Sequence, residues 1–310
     1  MQLLIEACFK LRSRLFYTKW NYFGNFRENS TMKKQILTLC LVFNLIIAAL
    51  AQKPMNIITY NIRYNNPGDK ENAWPNRRSD VIRLLKKYKA DIFSVQEALY
   101  DQVINLKEGM TGFDYVGVGR DDGNINGEFS AIYYNSNRYS LLESGTFWLS
   151  KTPQIPSKSW DAALNRICTW ARLREHDTQK SFYVFNTHFD HKGAIARKKS
   201  AELILKKIVE IADRKDPVLL TGDFNLTPLE KPLVLIRQKL KDSRQVSKSL
   251  PAGPMGTFNG FDFKSTLESR IDYIFVNKLI EVNSYNVLTD SREGRYPSDH
   301  LPVLTELRLK

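Results

Sequence analysis

Seven polar residues stand where apolar runs begin or end. Asn61 follows Ile57-Ile58-Thr59-Tyr60, Glu97 follows Ile92-Phe93-Ser94-Val95-Gln96, and His188 follows Tyr183-Val184-Phe185-Asn186-Thr187. Asp223 and Asn225 close the run Val218-Leu219-Leu220-Thr221-Gly222, and Asp299 with His300 precede a last apolar run. Carboxylates, imidazoles and carboxamides are the groups that move protons and hold cations. Strand ends are where the chain leaves a sheet and where side chains from several strands can converge. A single Asn or Asp beside a strand is ordinarily a cap or a turn residue, but so many at one kind of position point to a site. Asp223 and Asn225 are two residues apart, so on extended backbone both can face that site while Phe224 packs elsewhere.

The elements that must position them can be read from periodicity. Ile57 to Tyr64 alternates like a strand, Arg77 to Tyr88 carries Val81, Leu84, Leu85 and Tyr88 at helical spacing, and Ile92 to Val95 is a short apolar strand, giving an opening β-α-β. A helix is expected over 100–107, then strands over 115–118, 130–134, 139–149, 169–174 and 182–187, with antiparallel pairing. Ala194 to Asp213 places Ala201, Ile204, Leu205, Ile208 and Ile211 on one stripe, the pattern of a long amphipathic helix. A strand from Pro217, a helix near 233–240 and strands over 271–276, 281–288 and 301–309 complete the chain. Interleaved strands, helices and hairpins without a repeat or linker predict one α/β domain over residues 52–310, with mixed sheets face to face and helices outside.

The motifs Thr59-Tyr60-Asn61, Gln96-Glu97, Asn186-Thr187-His188, Gly222-Asp223-Phe224-Asn225, Arg270-Ile271-Asp272-Tyr273 and Ser298-Asp299-His300 resemble, in order, those of the endonuclease/exonuclease/phosphatase family. The resemblance spans about residues 55 to 310. It implies the DNase-I-like four-layer α/β sandwich, two mixed and mostly antiparallel sheets with helices outside, and hydrolysis of phosphate mono- or diesters. Trp74-Pro75-Asn76-Arg77, Gly127-Glu128, Gly145 to Ser150 and Arg166 to Trp170 look most similar to exported bacterial members of that family.

Phosphate esters hydrolyse very slowly without a catalyst, so an enzyme must shield the anion and generate a nucleophile. The resemblance implies Mg²⁺ or Mn²⁺ at Glu97, with Asn61 and Asp299 in support; such an ion needs only one or two protein carboxylates. It implies Asp223 as the base that activates water, Asn225 as the residue that positions it, His300 as a phosphate contact oriented by Asp272, and His188 as a second donor. Arg63, Arg77, Glu128, Arg166 and Asp190 are expected accessory substrate contacts. Trp74, Trp148, Trp160 and Trp170 are expected mainly in the core, Trp160 being the best candidate for exposure. The substrate class stays open among a phosphorylated small molecule, a lipid headgroup and nucleic acid. A secreted nuclease and an inactive ligand-binding member of the fold are the competing readings.

Lys33 and Lys34 precede an apolar run from Ile36 to Leu50 that closes on Ala49-Leu50-Ala51, the pattern of a signal peptide over 32–51. Residues 1–31 fit no targeting pattern and read as a non-native extension ahead of Met32. Without residues 1–51, which hold seven Lys or Arg and two acidic residues, the net charge falls from +13 to +8. That suits an anionic substrate, although a soluble surface also carries such charge. Cys168 is then the remaining cysteine, placed in an apolar run as a packing thiol, and no disulfide within the mature chain is expected. The expected product is a secreted or periplasmic monomer with no membrane span after cleavage. Amino-terminal sequencing of protein from its native host should find a start at or near Gln52; a cytoplasmic product retaining Met32 contradicts export.

Overall fold

The computed structural model describes residues 53–310, so the expectations for residues 1–51 lie outside the described residues. Strand β1 (Met55–Asn61) pairs in parallel with β2 (Ile92–Gln96), with Asn61 opposite Gln96. A parallel pair needs a crossover, and helix α1 (Trp74–Lys87) supplies it, with Val81, Leu84 and Leu85 buried. Helix α2 (Tyr100–Gly109) and strands β3 (Phe113–Val116), β4 (Ile132–Asn135), β5 (Tyr139–Trp148), β6 (Ile167–Glu175) and β7 (Ser181–His188) follow. The second parallel crossover is helix α3 (Ala194–Ile211), which leads to β8 (Val218–Asp223) and sets His188 beside Asp223. Helix α4 (Lys231–Arg237), strand β9 (Lys241–Asp242), helix α5 (Ser243–Val246) and strands β10 (Asp272–Val276), β11 (Ile280–Val287) and β12 (Val303–Leu309) complete the described chain.

The strands form two six-stranded sheets, ordered β11-β12-β1-β2-β4-β3 and β5-β6-β7-β8-β10-β9. One core, including Ile57, Ile92, Val184, Leu219 and Ile274, fills the space between them. A second packs α1 and α2 on the first sheet through Leu84, Leu85, Val103 and Phe93, and a third packs α3 and α4 on the other through Ile204, Leu233, Phe185 and Phe275. This is the four-layer sandwich expected from the motifs. Among the described residues, no helix is long and apolar enough to cross a membrane.

Boundaries shift where local chemistry overrides periodicity. The strand expected over 115–118 stops at Val116, because Gly117 takes a φ of 140°. Helix α1 starts three residues before the expected Arg77, since Pro75 suits the first helical turn, where its missing N–H costs nothing. β9 and α5 were not expected, being too short to show a period. They are fixed instead by a buried ion pair, Arg270 Nη2 to Asp242 Oδ2 at 2.7 Å.

Near the end of the sheets that carries His188 and Asp223, polar side chains cross the dry space between the two layers. Asn186 Nδ2 on β7 donates to the carbonyls of Val95 and Ala131, both at 2.9 Å, and Asn186 Oδ1 accepts from Gln96 Nε2 on β2 at 2.7 Å. Thr221 Oγ1 on β8 donates to Ser94 Oγ on β2 at 2.9 Å. Buried polar groups left unpaired are costly, so these bonds fix the register of one sheet on the other. Asn186→Ala takes a donor from the Val95 and Ala131 carbonyls and an acceptor from the Gln96 amide, which keeps Thr59, and should lower unfolding free energy by about 1 kcal/mol or more. Urea denaturation reads this; a loss below about 0.5 kcal/mol, typical of a surface change, contradicts it.

Candidate active site

Gly222 lets β7 and β8 approach closely. Its φ is 151°, and a Cβ there would lie 2.1 Å from the Thr187 carbonyl oxygen. Asp223 follows with both carboxylate oxygens engaged. Oδ1 accepts the Asn225 N–H at 2.8 Å, and Oδ2 accepts Asn61 Nδ2 at 3.0 Å. The same Oδ2 lies 3.4 Å from His188 Nε2 and 3.8 Å from His300 Nε2. Asn61 Nδ2 also donates to Glu97 Oε1 at 3.0 Å, while its Oδ1 accepts the Arg63 N–H. One carboxamide on β1 therefore holds a carboxylate from each sheet.

Arg63, Glu97 and Asn225 all have positive φ, at 56°, 65° and 49°. Asn tolerates that region, whereas for Glu and Arg it costs about 1 kcal/mol or more, which surrounding contacts must offset. For Glu97 they include the Asn61 bond and the Tyr64 N–H donated to Oε2 at 3.2 Å. Arg63 is held by Asp69 at 3.0 Å and lies 3.9 Å from Glu97.

These groups line a cavity of about 650 Å³ whose walls carry Glu97, Asp223, Asp299, His188, His300 and Asn225, with Arg63 beside them. Ligand atoms of Glu97, His188 and Asp223 lie within 4.8 Å of one another. Asp299, expected at the metal, falls outside that group, and Asn61 turns its nitrogen, not its oxygen, toward the carboxylates. Asn61 thus holds the two carboxylates in place. A cluster of buried carboxylates beside an open cavity is a hard-oxygen donor set that suits a divalent ion.

Burial raises the carboxyl of Asp223 above the ordinary range, against the opposing pull of His188 and His300. Asp299 is raised as well, by burial and by Glu97, with His300 opposing. Burial alone would lower His300, but the Asp272 carboxylate, 2.9 Å from Nδ1, overcomes it and holds the imidazole well above its ordinary value. His300 is then an imidazolium that donates Nδ1–H to Asp272 and turns Nε2–H to the cavity. His188 goes the other way: burial, reinforced by Arg166, lowers it to about 3. Being neutral, its Nε2 accepts from Asn225 Nδ2 at 3.0 Å, which leaves the proton on Nδ1.

Asp272 is fully buried behind His300, with Oδ2 at 2.9 Å from Nδ1. Of the accessory residues, Arg63, Glu128 and Arg166 line the cavity, while Arg77 and Asp190 do not. Arg77 corrects an expectation, because its guanidinium is spent on the carbonyls of Ile62, Arg63, Asn72 and Pro297, where it ties the turn after β1 to the segment before Asp299. Asp190 likewise serves the loop, accepting the N–H groups of Lys192 and Gly193 and pairing with Arg166. Arg120 and Phe258 line the cavity without having been singled out as site residues, and His191 lines it as well. Arg120 sits in a loop with no strand-end signal. Trp74 and Trp148 are buried, and Trp160 and Trp170 are half-buried, so among the described residues no tryptophan lines the cavity. Cys168 is buried and its thiol is pushed up by burial, as befits packing.

The model of the Endonuclease/Exonuclease/phosphatase family matches residues 58–300. The chain belongs to the endonuclease/exonuclease/phosphatase family. Members of this family hydrolyse phosphoester bonds. Among solved structures, a family protein from Bacteroides thetaiotaomicron is 40% identical, covers 83% of this chain and 98% of its own, and superposes with a TM-score of 0.79. A mannosyl-6-phosphatase of the same organism is also 40% identical, over 82% of this chain and all of its own, with a TM-score of 0.78. The human Nocturnin catalytic domain, 19% identical over 83% of this chain and 95% of its own, has a TM-score of 0.67 and shares the fold.

In metal-free protein, side-chain NMR should find the His300 imidazole still protonated well above pH 6.5, and His188 neutral down to about pH 3. The signs for stability oppose: His300 contributes stability that is lost as pH rises through its elevated value, and His188 disfavours the fold as pH falls below about 6.5. Asp272→Asn should bring the His300 titration down. Both histidines titrating near 6.5 contradicts the assignment.

Proposed function

We propose that this chain is a divalent-metal-dependent phosphomonoesterase that acts outside the cytoplasm on a small phosphorylated polar molecule. The observation that supports this most is the cavity itself: 650 Å³ is the size of a small-molecule site, about 300–1,000 Å³, with the carboxylate and imidazole cluster on its wall. The activity named for the 40% identical mannosyl-6-phosphatase supports a sugar phosphate within this class. The leader pattern over 32–51 supports export. An inactive binding protein is disfavoured by the presence of Glu97, Asp223, Asn225, Asp299 and His300 together.

Glu97 would hold the ion, Mg²⁺ or Mn²⁺, with Asn61 orienting its carboxylate. When bound, that ion neutralises charge on the phosphate and shields the approach of a nucleophile. Asp223 takes the proton from the attacking water. It is aimed by Asn61 and the Asn225 N–H, and burial raises its basicity. His300, held charged by Asp272, donates Nε2–H to a phosphoryl oxygen as negative charge builds there. Asn225 fixes the neutral His188 beside Asp223, so the site carries one charged imidazole and one uncharged.

The test is hydrolysis of sugar phosphates, an aryl phosphate, an aryl diester, DNA and RNA with Mg²⁺ or Mn²⁺, with and without EDTA. Monoesters should be cleaved fastest, EDTA should abolish turnover, and Asp223→Ala should reduce kcat by about 10³-fold or more, the scale of losing a general base together with its aim. Faster cleavage of DNA or RNA overturns the small-molecule reading. EDTA-insensitive turnover overturns the metal.

A further inference from the structure

Away from the Glu97 side of the cavity, Arg120, Glu128 and Arg166 make a second cluster that the mechanism above does not use. Arg120 Nη1 donates to Glu128 Oε2 at 2.6 Å, and Glu128 Oε2 lies 3.7 Å from His188 Nδ1 and 4.0 Å from Arg166 Nη1. Both arginines are more than nine-tenths buried. Their positions are set from behind. Trp148 Nε1 donates to the Arg120 carbonyl at 2.7 Å, Asp190 lies 3.4 Å from Arg166 Nε, and Arg166 Nη2 donates to His191 Nδ1 at 3.0 Å.

Three buried nitrogens in this cluster have no hydrogen-bond partner: Arg120 Nε, Arg166 Nη1 and His188 Nδ1. Buried donors are rarely left unmade in a folded protein. These atoms are closed off from solvent, but the side chains that carry them line the cavity beside the Glu128 carboxylate, which can accept. The charges balance, Arg120 and Arg166 against Glu128 and Asp190. A neutral patch rich in fixed donors with one acceptor does not select a second anion. It matches neighbouring hydroxyl groups, each of which donates one hydrogen bond and accepts two.

We propose that Arg120, Glu128 and Arg166 form a leaving-group subsite that binds the hydroxyls of a phosphorylated polyol or sugar. This rests on the phosphomonoesterase reading, and makes Arg120 and Glu128 specificity-determining residues. His188 joins the two halves of the cavity, with Nε2 at 3.4 Å from Asp223 and Nδ1 toward Glu128. Seating of the hydroxyls is thereby linked to the residue that activates water. A site built to bond hydroxyls discriminates strongly against analogues that lack them, because its own groups are then left unpaired.

The experiment compares a hexose 6-phosphate, phenyl phosphate and a hexose 1,6-bisphosphate in the metal-loaded full chain and in its Arg120→Met and Glu128→Gln variants. Wild type should prefer the hexose 6-phosphate over both other substrates. Each variant should lose about tenfold or more in kcat/KM on the hexose phosphate, the scale of a buried bond to a charged group. On phenyl phosphate, which carries no hydroxyls for the subsite, the loss should be smaller by about threefold or more. Should Arg120→Met fail to fold, the isosteric Glu128→Gln decides alone. Equal losses on the hexose and phenyl substrates overturn the subsite, as does a wild-type preference for the bisphosphate. Absence of any monoesterase activity in wild type instead overturns the proposed function, and the subsite with it.

Discussion

One carboxamide ties the molecule's two halves together at the point where chemistry is expected. Asn61 sits at the end of β1 in the first sheet, and its Nδ2 holds Glu97 from the same sheet and Asp223 from the other, each at 3.0 Å. Two carboxylates brought together in a buried setting repel each other, so their separation must be imposed from outside. The register between the sheets imposes it, through the Asn186, Gln96, Thr221 and Ser94 bonds that cross the core just behind. Apolar packing alone would allow the sheets to slide. Directional bonds in a dry layer do not.

Given that constraint, the rest of the site follows as a set of environments pushed apart. His300 and His188 flank the same Asp223 oxygen, yet Asp272 keeps one charged while burial and Arg166 keep the other neutral. Strained backbone at Arg63 and Glu97 is tolerated because side-chain bonds hold these residues from several directions. Close approach at Gly222 puts His188 and Asp223 in register.

Much of this was legible in the sequence, because strand ends and apolar runs are local signals. Asn61, Glu97, His188, Asp223, Asn225, Asp299 and His300 were identified from that placement alone, and all but Asn61 line the cavity. Asp272 was legible only through motif order, since nothing local marks a carboxylate that works behind a histidine. The arginines were the harder case. Arg77 and Arg120 look alike in the sequence, but one is consumed by four carbonyls and the other faces the cavity, a difference set by where distant loops fold back. Asn186 was visible as part of a motif, while its role as a brace between sheets depends on a partner 90 positions away.

On the proposal made above, this cluster of carboxylates, held together by the fold against their own repulsion, is completed by a divalent cation at Glu97. Binding of Mn²⁺ to the chelator-stripped protein, followed by electron paramagnetic resonance, tests it without relying on turnover. Saturable binding is expected, weakened by about tenfold or more in Glu97→Gln, the scale of losing a directly bound carboxylate. Binding that is absent, or equally tight in the variant, contradicts it.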